Sequence, residues 1–251
     1  MITFKEVTKT FGAQTVLNAV SFEIRAGEVF SIVGPSGTGK SVSLKHIVRL
    51  LQPTSGEVWV DGVLISHAKE RELPAIRARI GYLFQSAALL AWLNVYDNVA
   101  LPLVESPKRI PPDEIQDRVM DALAKVGLEN HAAKFPSDIS GGMQKRAGLA
   151  RAIVTQPRIL LYDEPTSGLD PVTSRRIDAL ITELRDRLGV TSVVVTHDMH
   201  SALAISSRIA MLSGGGVATV ATPTEFLASQ EPAVQEFLAA QYITKRGVWE
   251  K

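Results

Sequence analysis

The segment at residues 34–41, GPSGTGKS, restricts the possible folds of this chain more than any other. It follows an apolar run, EVFSIV, and precedes SVSLKHIVRLL, which is typical of a helix. Between a strand and a helix, this glycine-rich pattern with Lys and Ser predicts a phosphate-binding loop, in which glycines let backbone N–H groups surround phosphate oxygens. The alternative is an ordinary glycine-rich turn between a strand and a helix. Such a turn does not need the particular residues that the pattern has at four positions, so the phosphate-binding loop is favoured.

All eight residues of this loop are candidates for nucleotide binding. Lys40 can reach the β- and γ-phosphates, and the hydroxyl of Ser41 can ligate Mg²⁺. We therefore expect ATP and Mg²⁺ as cofactors, with Lys40 also assisting catalysis by neutralising charge. The predicted binding residues are Gly34, Pro35, Ser36, Gly37, Thr38, Gly39, Lys40 and Ser41.

The segment ILLYDE at residues 159–164 is an apolar run that ends in two adjacent carboxylates, Asp163 and Glu164. Open α/β sheets bind ligands at the C-terminal ends of their strands, where these acids would lie. Asp163 can hold Mg²⁺, directly or through water, and Glu164 can orient or deprotonate the attacking water. Acids at such positions are often only helix caps, but the phosphate-binding loop in the same chain favours the catalytic interpretation.

His197 follows the predicted strand SVVVT, and Gln85 is the last residue of the predicted strand ARIGYLFQ. At the same edge of the sheet, His197 can contact the γ-phosphate, and the amide of Gln85 can bind Mg²⁺ or water. A structural histidine and a surface amide are the ordinary alternatives. With Lys40 and Asp163 expected nearby, we predict catalytic roles for both residues.

A second potential anion site lies at Ser140, Gly141 and Gly142, in the segment ISGGMQKRAGL. The serine hydroxyl and the backbone N–H groups would form a collar at a helix N-terminus, which suits a phosphate. Two geometries bring this serine collar to a nucleotide. Either the helical region folds over the phosphate-binding loop of the same chain, or a two-fold dimer lets each chain offer its collar to the ATP of the other.

Composition narrows the choice of partners. With 27 Lys and Arg against 26 Asp and Glu, the formal charge is +1, so nothing favours nucleic acid as a partner. The absence of cysteine excludes disulfides and thiolate metal sites. The opening residues lack the apolar stretch of a signal peptide, and no apolar run approaches the roughly 20 residues that cross a bilayer. We expect a soluble protein that can still dock on a membrane partner.

The order of the predicted elements indicates an α/β fold. Alternating segments open the chain, nearly all-apolar strands then alternate with helices, and residues 86–157 are mainly helical. We predict a P-loop NTPase (RecA-like) core with an N-terminal antiparallel β subdomain and an inserted α-helical subdomain at about 86–157. One ATPase domain would cover residues 1–225, followed by a helical tail at 226–251.

In their order and spacing, the motifs resemble those of the ABC-transporter ATPases, over residues 1–225. The motifs are the phosphate-binding loop, Gln85, Ser-Gly-Gly, Asp-Glu, Ser167-Gly-Leu-Asp170 and His197. The resemblance implies ATP hydrolysis by two subunits that close head-to-tail around two ATP molecules, with each serine collar on the other subunit's ATP. By position, Phe11 matches an aromatic that stacks on adenine, Val16 a neighbouring apolar contact, and Asp170 an acid that crosses the dimer interface. Glu164 matches the catalytic base and His197 the switch histidine.

Met143 follows Ser-Gly-Gly where the family usually has glutamine. Together with LFQSAALLAWLNVYDNVALPL at residues 83–103, it is similar to the ATPases of the Mla and Mce lipid-trafficking group. This similarity implies phospholipid transport between membranes, driven from the cytoplasmic face of the inner membrane through two permease subunits. A small regulatory subunit and a lipid-binding protein would be further components. Methionine- and lipoprotein-type ATPases carry a similar segment, and an ABC ATPase of iron–sulfur cluster assembly is another alternative.

The segment at residues 86–104 has more apolar side chains than a small helical subdomain needs to bury. They include Trp92, Leu93, Val95, Tyr96, Val99 and Leu101. The segment is either local core or a groove where a short helix of each permease subunit docks. In the second case, Gln85 would link occupancy of the groove to the γ-phosphate. For the tail, the resemblance implies that Tyr242 or Trp249 contacts a partner subunit.

Overall fold

A computed structural model of the chain describes residues 1–106, 109–241 and 243. It divides into two compact units, the first formed by residues 1–74 with 191–251 and the second by residues 75–190. The strands are β1 (Ile2–Phe11), β2 (Gln14–Ile24), β3 (Val29–Val33), β4 (Ser55–Val60), β5 (Val63–Leu64), β6 (Ile80–Leu83), β7 (Ile159–Asp163), β8 (Thr191–Val195), β9 (Arg208–Ser213) and β10 (Gly216–Ala221). The α-helices are α1 (Lys40–Ile47), α2 (Leu73–Arg77), α3 (Val95–Val104), α4 (Pro112–Lys125), α5 (Gly141–Ile153), α6 (Pro171–Leu188), α7 (Met199–Ile205), α8 (Pro223–Ala228) and α9 (Pro232–Ala240).

The first unit opens with an antiparallel sheet in the order β2-β1-β4-β5, which confirms the predicted N-terminal β subdomain. Apolar side chains alternate along β1 and β2, so one face of the sheet is buried. On that face Phe22 stacks between Phe4, at 4.5 Å between ring centroids, and Phe30, at 5.6 Å. Because Phe30 belongs to β3, these rings attach the antiparallel sheet to the strand that leads into the phosphate-binding loop.

In the first unit, β3 lies between β8 and β9 and is parallel to both, while β10 pairs antiparallel with β9. Every residue of β3 and β8 is buried, as expected for parallel strands that are covered on both faces. Parallel pairing brings the C-terminal ends of β3 and β8 to one edge. That edge carries the phosphate-binding loop after Val33 and the segment with His197 after Val195.

The second unit contains the parallel pair β6 and β7 together with helices α3 to α6. Three of these helices, α3, α4 and α5, lie within residues 86–157, where the sequence predicts a helical subdomain. Gly127 and Gly189 follow α4 and α6 at φ angles of 65° and 64°, the left-handed conformation that ends many helices. The predicted division into a domain at residues 1–225 and a tail at 226–251 stays a prediction.

Two elements end earlier than the sequence predicts. Helix α1 stops at Ile47, before the end of the predicted helical segment SVSLKHIVRLL. Arg49 turns to a φ of 56°, and the N–H groups of Leu50 and Leu51 donate back to the carbonyl of Lys45. Strand β6 stops at Leu83, so that Gln85 lies beyond it. In both cases a local reversal of the chain, which leaves no clear periodic signal, replaces the regular element.

The last described elements, α8 and α9, pack in the first unit. Phe226, Val234 and Leu238 are buried in a cluster with Met211 of β9 and Met199 of α7. The tail is therefore part of the core of this unit. Tyr242 and Trp249, which are predicted to contact a partner subunit, lie outside the described residues.

A glycine is required at position 81, where β6 passes close to α5. A Cβ atom there would lie 2.2 Å from the carbonyl oxygen of Ala152 and 2.6 Å from Cδ2 of Leu160. We expect Gly81→Ala to lower the free energy of unfolding by about 2–3 kcal/mol, because backbone must shift to accept the methyl group. Chemical denaturation measures this, with Gly216→Ala as a control, since its Cβ would lie 3.9 Å from the nearest such atom. Equal stability of the two variants would contradict the close approach.

Candidate functional site

The N-terminus of α1 fits an anionic ligand. Its N-cap is Gly39, at a φ of 94°, which has no side chain to accept from the N–H groups of the first turn. By contrast, Asn94, Ser140, Asp170 and Asp198 each accept from backbone N–H groups at the start of their own helices. A phosphate oxygen can take the place that a capping side chain takes elsewhere. The loop before α1 therefore suits the phosphates of a nucleotide.

Lys40 lies within the curve of this loop and is largely buried. Its ammonium group donates to the carbonyl oxygens of Gly34 and Pro35, at 2.8 Å each. The loop has no room for a side chain at Gly34 or Gly39. A Cβ on Gly34 would lie 2.3 Å from the carbonyl oxygen of Leu212. A Cβ on Gly39 would lie 2.5 Å from Cδ2 of Leu17. The loop thus holds a positive charge among closely packed backbone, an arrangement that suits phosphate oxygens.

The two predicted adenine contacts both belong to the first unit. Val16 is half-buried, and its Cγ1 would lie 3.1 Å from a Cβ on Gly39, so this side chain borders the phosphate-binding loop. The ring of Phe11 is 44% exposed, and Nζ of Lys9 lies 4.9 Å from its centroid. An exposed ring on the same unit as the loop can stack on a base without reading its identity.

His197 lies at the same sheet edge as the loop. Ile32 of β3 is opposite Val195 of β8, and the N–H of Thr196 donates to the carbonyl of Ile32 at 3.2 Å. His197 and Gly34 each follow this pair by two residues. The first unit therefore brings together the predicted phosphate-binding residues and the predicted switch histidine.

The second unit brings the predicted acids and Gln85 to one edge. Leu83 of β6 is opposite Tyr162 of β7, and Gln85 and Glu164 each follow this pair by two residues. Asp163 and Glu164 are largely buried, and the hydroxyl of Tyr82 donates to Oδ2 of Asp163 at 3.3 Å. Burial, together with the charge of Asp163, raises the pKa of Tyr82. Glu164 has a φ of 49°, a left-handed conformation that few residues with a side chain adopt.

The predicted metal ligands have suitable chemistry. A serine hydroxyl (Ser41), an amide (Gln85) and a carboxylate (Asp163) all offer oxygen atoms, which Mg²⁺ prefers. Bound Mg²⁺ would supply charge neutralisation at the β- and γ-phosphates. Ser41 belongs to the first unit and the other two residues to the second.

The serine collar begins α5 as predicted. The hydroxyl oxygen of Ser140 accepts from the N–H of Met143 at 3.3 Å, and Ser140 and Gly141 are exposed. Gly142 is buried against α6, where its Cβ would lie 2.5 Å from Cγ2 of Thr173. Asp170 caps α6 and accepts from the hydroxyl of Thr173 at 2.6 Å; hydrogen bonds to Thr173 lower the pKa of this carboxyl group. The collar and Asp170 therefore lie next to each other on the second unit.

Comparison with known proteins agrees with these motifs. Residues 17–167 match the family described as ABC transporter. The chain belongs to the ABC transporter family. As an ATPase of this family, it binds ATP with Mg²⁺, hydrolyses ATP, and works as a dimer that pairs with membrane permease subunits.

Individual members of the family are similar over most of the chain. The "probable ribonucleotide transport ATP-binding protein mkl" of Mycobacterium leprae is 42% identical over 250 residues, which are 100% of this chain and 72% of that protein. The "methionine import ATP-binding protein MetN" of Carboxydothermus hydrogenoformans is 43% identical over 242 residues, 95% of this chain and 71% of that protein. Among solved structures, the dimeric post-hydrolysis state of the ATP-binding cassette MJ0796, bound to ADP and Pi, has 37% identity and a TM-score of 0.81. That match covers 89% of this chain and 99% of MJ0796.

Lys145 is a residue of this ABC ATPase that sequence reasoning missed. It lies on α5, only 6% exposed, and its ammonium group donates to the carbonyl of Gln85 and, at 3.1 Å, to the carbonyl of Glu164. Burial lowers the pKa of Lys145, while the charges of Glu164 and Asp163 oppose this shift. Lys145 thus joins the backbone of two predicted catalytic residues to the helix of the serine collar.

Two further residues of α5, Gly148 and Arg151, also lie against β6 and the turn that follows it. Arg151 donates to the carbonyls of Ala87 and Ala88, at 2.6 and 2.7 Å, and both alanines have left-handed φ angles. A Cβ on Gly148 would lie 2.9 Å from Cδ1 of Leu83, so the helix passes close to the end of β6. Positions 145, 148 and 151 recur every three residues along one side of α5. In the sequence, the spacing of Lys145, Gly148 and Arg151, three residues apart on one helix, is the pattern that indicates this contact.

Replacing Lys145 with Met removes both hydrogen bonds and keeps a side chain of similar length. We expect Lys145→Met to slow ATP turnover about tenfold, because loss of two charge-assisted hydrogen bonds frees the backbone of Glu164. ATP binding, measured with a fluorescent analogue, should remain. Lys125→Met is the control, since Lys125 is a half-buried residue of α4 that pairs only with Asp121 among the ion pairs of the described residues. Normal turnover by the Lys145 variant would show that the contact has no catalytic consequence.

Proposed function

We propose that this chain is the ATP-hydrolysing subunit of a transporter that moves phospholipid between membranes. The observation that carries the lipid assignment is Met143 after Ser-Gly-Gly, combined with the segment at residues 83–103, which together resemble the Mla and Mce group. The transporter would contain two permease subunits, a small regulatory subunit and a lipid-binding protein.

We assign the chemistry to a composite site between two copies of the chain. Lys40 and the loop residues 34–41 hold the phosphates, with Ser41, Gln85 and Asp163 as the ligands of Mg²⁺. Glu164 orients and deprotonates the attacking water, and His197 contacts the γ-phosphate. The positioning of these groups and the neutralisation of phosphate charge supply most of the rate enhancement.

The serine collar of one copy completes the ATP site of the other. Support comes from its exposure: Ser140 and Gly141 are on the surface of the second unit, beside the exposed Asp170. In the dimer, Ser140, Gly141 and Gly142 would present a hydroxyl and helix N–H groups to the γ-phosphate across the interface, with Asp170 next to them. Phe11 and Val16 would contact the adenine.

The permease subunits would dock on residues 86–104. Within this segment Val95 and Val99 are fully buried, whereas Trp92 is 73% exposed and Val104 is 61% exposed. The segment is thus partly local core and partly an apolar surface. Asn98 is buried and donates to the carbonyls of Leu90, Leu93 and Asn94, so the loop that presents Trp92 has a defined conformation. An exposed indole on a loop with a defined backbone is a suitable anchor for a short helix.

Such docking would place the chain on the cytoplasmic face of the inner membrane. In the part of the chain that the structure describes, no helix combines the length and apolar character needed to span a bilayer. Attachment through the permease subunits, with no nucleic acid involved, is the arrangement we propose.

Methionine import is a second candidate. The 43% identity to a protein named as a methionine import ATPase favours it, and the 42% identity to a protein named for ribonucleotide transport adds a further substrate to test. The ATPase chemistry would be the same in each case, because the substrate meets the membrane subunits of the complex.

Mixed dimers test the composite site. When a Lys40→Ala chain pairs with a Ser140→Ala chain, exchange of collars between subunits leaves one site intact and one site doubly altered. We expect turnover of about half the wild-type rate, well above that of either altered homodimer, measured on dimers purified through two different tags. Pairing the Lys40 variant with a chain that carries both substitutions is the control, since it has no intact site. A mixed dimer as inactive as this control would exclude the exchange.

Transport assays distinguish the substrates. The complex isolated through a tag on this chain is placed in vesicles containing a fluorescent phospholipid, and movement of the label is measured with and without ATP. We expect ATP-dependent movement that Glu164→Gln abolishes, because the variant binds ATP without hydrolysing it. Labelled methionine and a labelled ribonucleotide are tested in parallel. ATP-dependent accumulation of either one, without movement of phospholipid, would overturn the lipid assignment.

A further inference from the structure

Gln241 follows α9 and contacts the backbone on both sides of Asp198, next to His197. Its side-chain N–H donates to the carbonyl of His197 at 2.7 Å, and its side-chain oxygen accepts from the N–H of Met199 at 2.9 Å. These two groups require opposite partners, one a donor and the other an acceptor. The orientation of the amide is therefore determined. In the reversed amide, the side-chain oxygen would face the carbonyl oxygen of His197, and the side-chain N–H group would face the N–H of Met199.

The segment around Gln241 is anchored in the core of the first unit. Leu238 and Ile243, on either side of it, are buried in a cluster with Met199 and Val33. The N–H groups of Gln241 and Ile243 both donate to the carbonyl of Leu238 at 3.1 Å. The backbone that carries the Gln241 side chain is therefore fixed in the core, and only the side-chain torsions must be ordered when the amide forms its two hydrogen bonds. Gln241 thus supports the segment that its amide contacts from a fixed position in the backbone.

The supported segment is short and has a defined conformation. Thr196, His197 and Asp198 connect β8 to α7, and the carboxylate of Asp198 caps α7 by accepting from the N–H groups of His200 and Ser201. Met199 provides the first N–H group of α7, which has no acceptor within its own helix. Gln241 accepts from this group and at the same time holds the carbonyl of His197.

We propose that Gln241 positions His197 for ATP hydrolysis, so that the C-terminal segment is a working part of the ATPase site. The proposal rests on the role of His197 in the proposed function. Without the amide, the backbone at His197 loses one of its hydrogen bonds and the start of α7 loses another. The imidazole would then spend less time in the geometry that contacts the γ-phosphate. Gln241 itself acts only through His197 and touches no nucleotide.

Kinetics of full-length variants test this positioning role. Gln241→Leu has a similar size and removes both hydrogen bonds, while Gln241→Glu keeps the acceptor for Met199 and removes the donor to His197. We expect both to lower kcat about five- to tenfold, with KM for ATP and the affinity for a fluorescent ATP analogue within about twofold of wild type. Gln235→Leu is the matched control, because Gln235 lies on α9 and its side chain contacts only neighbouring tail residues, Ser229 and Gln230, in the hydrogen bonds of the described chain.

A double substitution separates positioning from general damage. In a His197→Ala background, Gln241→Leu should lower the residual turnover by less than about twofold, since the group that it positions is gone. An equal loss in both backgrounds, or a wild-type kcat in both Gln241 variants, would overturn the proposal. If His197→Ala alone keeps full turnover, the role of His197 in the proposed function is wrong. If His197→Ala is impaired and the Gln241 variants are not, only the positioning role of Gln241 is wrong.

Discussion

The buried ammonium group of Lys145 constrains much of the second unit. A charged amine removed from water must have hydrogen-bond acceptors, and the carbonyls of Gln85 and Glu164 supply them. Because Gln85 follows β6 and Glu164 follows β7, one side chain of α5 holds the ends of two strands. The helix that begins with the serine collar therefore cannot shift along its axis without disturbing both strand ends.

This constraint gives a physical route between the parts of the proposed mechanism. The apolar surface at residues 86–104 begins directly after Gln85, and Arg151 holds the turn at Ala87 and Ala88. A permease helix that moves this surface would act on α5 through the contacts of Lys145 and Arg151. The N-terminus of α5 is the serine collar, so the same helix would carry the displacement to the ATP of the partner subunit.

The sequence predicts the parts of the site that depend on local spacing. The phosphate-binding loop, the acids at the C-terminal end of β7 and the cap at Ser140 each need only a few adjacent residues, and all three occupy the expected positions. Lys145 and Gln241 were missed because their acceptors and donors are distant in the chain: 60 residues separate Lys145 from Gln85, and 44 separate Gln241 from His197. The segment at residues 86–104 shows another limit, since Val95 and Trp92 are both apolar and hydropathy alone does not tell which one is buried.

The close approach of Gly142 to Thr173 has a consequence for how two copies meet. A Cβ on Gly142 would lie 2.5 Å from Cγ2 of Thr173, so the start of α5 packs directly on the start of α6. In the proposed dimer, the hydroxyl of Ser140 and the carboxylate of Asp170 would therefore face the nucleotide of the opposite copy from one continuous surface.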